Sequence, residues 1–244
     1  MWNNREMLDL GPWNELAAPR GEFTTLLRGL ALDYNQLGSP EPEFLFSLSY
    51  RTTGRGAIVE LGTFIGTSLL ALSLAQKLKG SSRPITTIDV KRRLELDENL
   101  AKAGLANAVN VVLSDSLAAA ASWREPIELL WIDADHGYKG CLADIEAWKR
   151  HVLPGGLIAL HDFADGMGVY RAVHEGLLSR PWAYRVVSDR EYGNIFVVEK
   201  LADEGAVPAW EDRLSHGEAR PESSLSKPRS RVSTVLSRFR SRSH

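Results

Sequence analysis

The stretch Val59-Glu60-Leu61-Gly62-Thr63-Phe64-Ile65-Gly66-Thr67-Ser68 joins a short apolar run to the start of a helical pattern. Its two glycines, Gly62 and Gly66, allow the backbone to turn sharply and to approach a bound molecule closely. Thr67 or Ser68 can cap the helix that follows. The stretch therefore predicts a strand, a ligand-binding loop and a helix, in that order.

Apolar runs and helical patterns alternate on both sides of this loop. We predict seven strands, at Ala57–Leu61, Ile85–Asp89, Val109–Leu113, Leu129–Ile132, Gly156–His161, Arg185–Ser188 and Asn194–Val198. We predict helices between or after them, at Thr67–Leu78, Arg92–Ala103, Leu117–Trp123, Lys139–Val152 and Val169–Leu178. Such alternation is typical of βαβ units around a buried parallel sheet. Only Asp189–Gly193 separates the last two strands, which is too short for a crossover, so these two should pair antiparallel.

The overall composition is that of an ordinary globular protein. Of its 244 residues, 44% are hydrophobic and 25% charged, and the length suits one substantial domain with extra elements. A formal net charge of −2 gives no reason to expect nucleic acid as a partner. Cys141 is the only cysteine, so no intramolecular disulfide can form and a reducing compartment is expected. The sequence has no signal-peptide run and no apolar stretch of roughly 18 residues, so we expect a soluble, cytoplasmic protein without an integral membrane segment.

Changes in composition predict three segments. Residues 1–54 are expected to form an N-terminal helical cap, which either covers one edge of the sheet or forms part of a substrate lid. Residues 55–200 carry the alternating pattern of strands and helices. Residues 201–244 form a C-terminal extension, which from about residue 220 is basic, rich in serine and arginine, and expected to be disordered.

Acidic residues at the strand ends around the loop restrict the class of ligand. A nicotinamide dinucleotide site has the spacing G-x-G-x-x-G, with helix N–H groups facing a pyrophosphate, whereas this loop has no close pair of glycines. Glu60 would repel phosphate but suits a ligand with ammonium and sulfonium charges. Asp89 closes the second strand, where a carboxylate can accept hydrogen bonds from both hydroxyls of a ribose. Asp115 and Ser116 follow the third strand, where an adenine amino group can be recognised.

The motif Glu60-x-Gly62-x-x-x-Gly66, together with Asp89, resembles the cofactor motifs of class I S-adenosylmethionine-dependent methyltransferases. Three further stretches are similar to a narrower group of small-molecule and sugar O-methyltransferases, which includes the metal-dependent macrocin-type enzymes: Trp131-Ile132-Asp133-Ala134-Asp135-His136-Gly137-Tyr138, Leu153-Pro154-Gly155-Gly156 and His161-Asp162. The resemblance covers about residues 55–200. It implies an α/β, Rossmann-like methyltransferase fold, whose mainly parallel sheet has the strand order 3-2-1-4-5-7-6 and ends in an antiparallel hairpin.

The resemblance also implies S-adenosyl-L-methionine as the cofactor. We expect it to be bound by Glu60, Gly62, Thr63, Gly66, Thr67, Ser68, Asp89, Asp115, Ser116 and Asp133.

The resemblance implies roles for the acids and histidines that follow the fourth and fifth strands. Asp133 and Asp162 match metal ligands, and His136 matches a proposed catalytic base with Asp133 beside it. His161 stands where the relatives usually have a glutamate. As a third metal ligand, its imidazole would favour Mn, Fe or Zn over Mg, so the choice between Mg and Mn stays open. The alternatives are a loop-capping role for His136 and a purely structural role for His161.

The expected function is the transfer of a methyl group to a hydroxyl of a small molecule. A divalent ion can lower the pKa of such a hydroxyl, and His136 can take its proton. A sugar or glycosylated metabolite is the first choice of acceptor, and a catechol-like phenol is the second. Two rival hypotheses are a nicotinamide oxidoreductase, which the glycine spacing disfavours, and a non-catalytic protein that retains the fold. A homo-oligomer is left open.

Overall fold

The computed structural model describes residues 40–190, 192–203 and 205 of the chain. The predicted cap therefore falls largely outside the described residues, as does the predicted disordered extension. Among the residues described, no helix is long and apolar enough to cross a membrane.

Strands and helices alternate along the described chain, as the sequence predicts. The strands are β1 (Ala57–Leu61), β2 (Ile85–Asp89), β3 (Val109–Leu113), β4 (Ile127–Ile132), β5 (Val152–Leu160), β6 (Tyr184–Asp189) and β7 (Phe196–Lys200). The α-helices are α1 (Glu41–Arg51), α2 (Thr67–Leu78), α3 (Leu94–Lys102), α4 (Ser116–Ser122), α5 (Tyr138–Trp148) and α6 (Gly168–Val173). A 3-10 turn follows α5 at Lys149–His151, and a π-helical turn extends α6 at His174–Leu178.

The seven strands form one sheet in the order β3-β2-β1-β4-β5-β7-β6. The first five strands in the chain pair in parallel, while β7 pairs antiparallel with both β5 and β6. The predicted fold class, strand order and terminal hairpin are thereby confirmed. The order reverses direction between β1 and β4, and in open α/β sheets this switch point is where ligands bind, beyond the carboxyl ends of the strands.

Helices cover both faces of the sheet, which explains why β1 and β4 are buried at every position. On one face α1, α2 and α3 pack their leucines and phenylalanines against the sheet, around Trp131. On the other face α4, α5 and α6 pack around Trp148. Full burial of one such large apolar side chain contributes about 1.5–3 kcal/mol, so the two layers together hold the strand ends rigidly in place.

The boundary between α5 and β5 differs from the predicted one. The helix was expected to extend to Val152 and the strand to begin at Gly156. Instead α5 ends at Trp148, and Val152 already pairs with Ile127 of β4. A shift in register along this pair of strands lets β5 pass through its Pro-Gly-Gly segment and still remain in the sheet.

Strand β7 begins two residues later than expected, at Phe196 rather than Asn194. The backbone of Asn194 is engaged elsewhere. Its N–H donates to the carboxylate of Glu41 at 2.8 Å, and its carbonyl accepts the N–H of Phe163 at 3.0 Å. These contacts tie the hairpin to α1 and to the loop after β5, at the edge of the sheet where the candidate site lies.

Candidate active site

The loop after β1 is shaped by two glycines with positive φ. Gly62 has a φ of 84° and Gly66 a φ of 90°, values that L side chains rarely adopt. A Cβ at Gly62 would collide with the carbonyl oxygen of Asp133, so only glycine allows these two backbones to approach. Gly66 is the N-cap residue of α2. The loop therefore brings its own backbone and the N-terminus of α2 against the loop that follows β4.

Asp89, at the end of β2, fastens this loop. Its Oδ2 atom accepts the backbone N–H groups of Thr63 at 2.9 Å and of Phe64 at 3.1 Å. Its Oδ1 atom accepts the N–H of Lys91 at 2.9 Å. The carboxylate that was predicted to bind a ribose thus holds the loop after β1 in its conformation, a role that the sequence motif did not reveal.

Glu60 is fully buried and does not line the cavity described below. Ser68 donates its hydroxyl to Glu60 Oε1 at 2.5 Å, and Thr87 donates to Oε2 at 2.6 Å. Burial raises the pKa of Glu60 to about 8, although both hydrogen bonds act in the opposite direction. The structure therefore places Glu60 behind the hydroxyls of the loop rather than at its surface.

Hydroxyl groups at the start of α2 stand between Glu60 and the cavity. Thr67 and Ser68 both line the cavity. The Thr67 hydroxyl is buried and, within the described part of the chain, has no hydrogen-bond partner. Buried polar groups are nearly always satisfied in folded proteins, so this hydroxyl is suited to a polar group of a bound ligand. Thr63 is also buried, and its hydroxyl contacts that of Thr87.

Asp115 and Ser116, after β3, both line the cavity and both have structural partners. Asp115 is the N-cap of α4, where its Oδ1 atom accepts the N–H groups of Leu117 at 3.0 Å and Ala118 at 3.1 Å. Ser116 donates its hydroxyl to Asp144 at 2.6 Å. The two residues that were predicted to bind adenine therefore lie at the wall of the cavity. Asp115 has a second role there, because it caps helix α4.

The cavity is bounded by the loops after β1, β2, β3 and β4 and has a volume of about 790 Å³. This volume falls in the ~300–1,000 Å³ range of small-molecule and cofactor sites. Most of the predicted cofactor-binding residues line it: Gly62, Thr63, Thr67, Ser68, Asp89, Asp115, Ser116 and Asp133. His136 lines the same cavity, whereas Glu60 and Gly66 support it from outside the lining.

Beside the cavity, two carboxylates and two histidines form a closed cluster, which we call the Asp–His quartet: Asp133, His136, His161 and Asp162. His136 bridges the two acids, with Nε2 at 3.2 Å from Asp133 Oδ1 and Nδ1 at 2.8 Å from Asp162 Oδ2. His161 bridges them again, with Nδ1 at 3.4 Å from Asp133 Oδ1 and 3.5 Å from Asp162 Oδ1. The structure therefore brings together all four residues that the resemblance singled out.

Backbone conformation helps to close the quartet. Asp162 has a φ of 53°, in the left-handed region that glycine, asparagine and aspartate adopt more readily than other residues. His161 just before it is still tied to β4, because its N–H donates to the carbonyl of Ile132 at 3.1 Å. The chain thus turns sharply and returns the Asp162 carboxylate toward His136.

Glu41 is a member of this site that the sequence did not predict. It belongs to α1, it is buried, and its Oε2 atom lies 3.3 Å from Nε2 of His161. Its other oxygen accepts the N–H of Asn194. An acid in the first turn of a helix is normally explained by the helix dipole, so the sequence held no signal that this one reaches the site.

The charges in the quartet determine its protonation. The hydrogen bond to Asp133 raises the pKa of His136 above the usual value for histidine. Burial alone would lower the pKa of His161, but the carboxylates of Asp133 and Glu41 outweigh it and raise the pKa to about 10. Burial opposes ionisation of Asp133, yet hydrogen bonds from both histidines hold its pKa below the usual value. The carboxylates thus favour the protonated form of His161, and the two histidines favour the ionised form of Asp133.

The quartet does not fit a divalent metal as it is arranged. In the described part of the chain, no three or more His, Cys, Asp or Glu side chains form a group that could hold a metal ion. At His161, Nδ1 lies 3.4 Å from Asp133 Oδ1 and 3.5 Å from Asp162 Oδ1, while the buried Nε2 atom, 3.3 Å from Glu41 Oε2, has no hydrogen-bond partner within the described residues.

Comparisons with known proteins agree with this geometry. A family model described as "Methyltransferase domain" matches residues 59–163. The fold is similar to that of an O-methyltransferase from Bacillus cereus in complex with SAH, at 17% identity over 82% of this chain and 99% of that chain, with a TM-score of 0.55. It is also similar to the O-methyltransferase TomG from Streptomyces achromogenes, involved in tomaymycin synthesis and solved with SAM, at 17% identity over 83% and 100%, with a TM-score of 0.56.

A third similar structure is CalS11, a TDP-rhamnose 3'-O-methyltransferase in calicheamicin biosynthesis, at 16% identity over 74% of this chain and 80% of that chain, with a TM-score of 0.50. At such identities these likenesses concern the fold, while the family match concerns the sequence around the cavity. Residues 59–163 therefore match a methyltransferase domain, and the chain has the Rossmann-like fold of the class I, S-adenosylmethionine-dependent methyltransferases.

Proposed function

We propose that this protein transfers the methyl group of S-adenosylmethionine to a hydroxyl oxygen of a small metabolite. The observation that carries the proposal is the position of His136. Its side chain is 44% exposed, it lines the cofactor-sized cavity, and each ring nitrogen contacts a carboxylate. A histidine placed in this way can accept a proton from an alcohol that lies beside the cofactor.

In this proposal the cofactor occupies the cavity between the loops after β1, β2 and β3. The hydroxyls of Thr67 and Ser68 and the N-terminus of α2 bind its amino-acid end, and Asp89 accepts hydrogen bonds from the ribose. Asp115 and Ser116 recognise the adenine. Glu60 acts at a distance, since it orients Ser68 through the 2.5 Å hydrogen bond and is not itself exposed to the ligand.

The chemical step is a displacement at the methyl carbon. The acceptor oxygen forms a bond to the methyl carbon while the carbon–sulfur bond breaks, and the electron pair of that bond stays on sulfur as the thioether leaves. The hydroxyl proton goes to a ring nitrogen of His136. The hydroxyl must first replace one of the two carboxylates that contact this ring, and the other carboxylate then keeps the ring oriented.

A sugar or glycosylated metabolite is the preferred acceptor, with a catechol-like phenol as the second choice. The sugar is favoured by the similarity to the TDP-rhamnose 3'-O-methyltransferase CalS11. An alcohol also needs a base more than a phenol does, because its hydroxyl is far less acidic, and the quartet provides one. The metal assistance that the resemblance implies is not part of this proposal.

The proposal is tested by methyl transfer from S-adenosylmethionine with an isotopically labelled methyl group. The purified chain is incubated with a panel of nucleotide sugars, glycosides and catechols, and the label is located in the product by mass spectrometry. We expect label on an oxygen, and one cofactor bound per chain in calorimetry. Binding of cofactor without transfer to any hydroxyl in the panel would count against O-methylation, and absence of cofactor binding would count against methyl transfer altogether.

A further inference from the structure

Asp144, on helix α5, is the most deeply buried of the acids that line the cavity. It is 5% exposed, whereas the other lining acids of the described chain are half-buried or exposed: Asp89, Asp115, Asp133 and Asp135. A carboxylate that is both buried and part of a cavity wall needs donors from its surroundings, because water reaches it poorly. The surroundings of Asp144 therefore indicate what the cavity holds at this point.

The hydrogen bonds around Asp144 leave one of its oxygens available. Its Oδ1 atom accepts the hydroxyl of Ser116 at 2.6 Å, and this is the only hydrogen bond that its side chain makes within the described residues. An ionised carboxylate can accept about four. Burial raises the pKa of Asp144 above its usual value in spite of the bond from Ser116, as expected for a carboxylate with few donors around it. Its Oδ2 atom is therefore left for a donor on a molecule in the cavity.

The neighbouring pair Asp115 and Ser116 is already engaged in the fold. Ser116 gives its one hydroxyl proton to Asp144, while its oxygen accepts the Nε1–H of Trp148 at 3.0 Å. Asp115 uses Oδ1 to accept two backbone N–H groups at the start of α4. The 6-amino group of an adenine needs an acceptor, and at this wall Asp144 is the acid that does not cap a helix.

The wall around Asp144 also suits a flat ring. Gly140, Ala143 and Asp144 follow the spacing i, i+3 and i+4 on one face of α5, and all three line the cavity. Gly140 and Ala143 take up little room beside the carboxylate. Val90 and Leu117 line the same cavity and are 76% and 44% exposed. Small and apolar side chains around one buried acceptor fit a purine, whose faces are apolar and whose edge is polar.

We propose that Asp144 accepts a hydrogen bond from the 6-amino group of the adenine and thereby makes the site selective for adenine over purines that lack this group. The inference deepens the proposed function and rests on it for the identity of the cofactor. In this arrangement the amino group donates to Oδ2, while Ser116 holds Oδ1 and so fixes the orientation of the carboxylate. Asp144 thus completes the recognition of the adenine for which Asp115 and Ser116 form the adjoining wall.

Calorimetry with two ligands tests the inference without relying on turnover. The ligands are S-adenosylhomocysteine and its analogue in which hydrogen replaces the 6-amino group. We expect the parent protein to bind S-adenosylhomocysteine at least ~10-fold more tightly, since the analogue lacks a hydrogen bond to a charged group. In Asp144→Asn the amide oxygen still accepts the hydroxyl of Ser116, so the amide NH₂ faces the cavity and cannot accept from an amino group. This variant should bind the two ligands about equally.

A matched control and a second variant make the test specific. Asp135→Asn is the same chemical change at another lining aspartate, whose Oδ1 accepts the N–H of Gly137, and it should keep the preference of the parent. Asp144→Ser should lose the preference as Asp144→Asn does, because its shorter side chain does not reach the base, and circular dichroism verifies that each variant is folded.

Two results would overturn the inference alone. One is a parent protein that binds both ligands equally. The other is a preference that persists in folded Asp144→Asn or Asp144→Ser and is lost in Asp115→Asn, since Asp115 would then read the amino group. A parent protein that binds neither ligand would instead refute the proposed function, and this inference with it.

Discussion

Gly62 and the carbonyl oxygen of Asp133 meet backbone to backbone, across the switch point between β1 and β4. The loop proposed to bind the cofactor and the loop that begins the quartet are thereby in direct contact. The N–H of Asp133 also donates to the carbonyl of Leu61 at 2.8 Å. A change at this point should affect both the fold and the site.

We expect Gly62→Ala to destabilise the protein and to abolish cofactor binding. Alanine at a φ of 84° costs about 1–2 kcal/mol, and the collision with Asp133 adds about 1–3 kcal/mol. Gly80→Ala is the matched control, because Gly80 has a φ of 72° but nothing within 4 Å of an added Cβ. Urea unfolding and calorimetry with S-adenosylhomocysteine measure the two effects. Equal losses in the two variants would show that the backbone contact is unimportant.

Asp89→Ala should weaken S-adenosylmethionine binding by at least ~1–3 kcal/mol. The variant loses the carboxylate that is proposed to bind the ribose, and the same carboxylate accepts the N–H groups of Thr63 and Phe64. Asp97→Ala removes an exposed carboxylate that pairs with Arg92 and should leave affinity unaltered. Calorimetric titration of both variants measures the difference. An Asp89→Ala protein with normal affinity would remove this residue from the cofactor site.

His136→Ala should lower turnover by ~10²–10⁴-fold, the usual cost of losing a general base, with little change in cofactor affinity. A loop-capping histidine would instead cost about 1 kcal/mol of stability and leave turnover per folded molecule nearly normal. His174→Ala is the control, since His174 is exposed and its Nδ1 contacts only the carbonyl of Tyr170 among the hydrogen-bond partners described. Single-turnover methylation distinguishes the two roles of His136.

Turnover should rise with pH as His136 loses its proton and becomes a competent base. The hydrogen bond to Asp133 raises the pKa of His136, so the rise should be centred above the ordinary value of ~6.5. Asp133→Asn removes this anion, so the centre of the rise should move to lower pH. Asp135→Asn removes a neighbouring carboxylate that accepts the N–H of Gly137, and it should leave the centre in place. If turnover rises with pH around the same midpoint in Asp133→Asn as in the parent, Asp133 does not control the pKa of His136.

Glu60→Gln should make stability less dependent on pH. The pKa of Glu60 is about 8 in the folded protein, so the folded state keeps a proton that the unfolded chain releases near pH 4.5. Its contribution to stability is therefore complete below about pH 4.5 and is lost as the pH rises to about 8. Glutamine has no proton to release, so the variant should gain stability relative to the parent across this window. Urea unfolding at several pH values measures it, with exposed Glu98→Gln as the control.

Much of the fold could be predicted because short strand-like runs alternate with helical patterns along the chain. Strands β1, β2 and β3 and helix α2 have the predicted bounds, and the short link before β7 predicted the antiparallel hairpin. The late start of β7 could not be predicted, since it depends on contacts of Asn194 with distant residues. The pattern of apolar residues along a segment does not indicate which of its backbone groups will form hydrogen bonds with distant residues.

The sequence predicted where some residues of the candidate site lie, but it did not predict the burial of Glu60 or the presence of Glu41. Strand-end residues such as Asp89 and Asp133 lie where parallel strands must bring them, so their meeting followed from topology. The burial of Glu60 did not follow, because its position at a strand end resembles that of an exposed residue. Glu41 was missed entirely, because it reaches His161 from a helix that precedes the sheet.

The hydrogen bond from the N–H of Asn194 to the carboxylate of Glu41 joins residues that are 153 positions apart in the chain. Contacts between such distant residues carry a large loop-closure cost, which is offset only after the intervening sheet has formed. The environment of His161 should therefore be completed late in refolding, after the secondary structure. In a refolding experiment, recovery of methyl transfer would lag behind the recovery of circular dichroism, so activity would report the final docking of α1 rather than the collapse of the core.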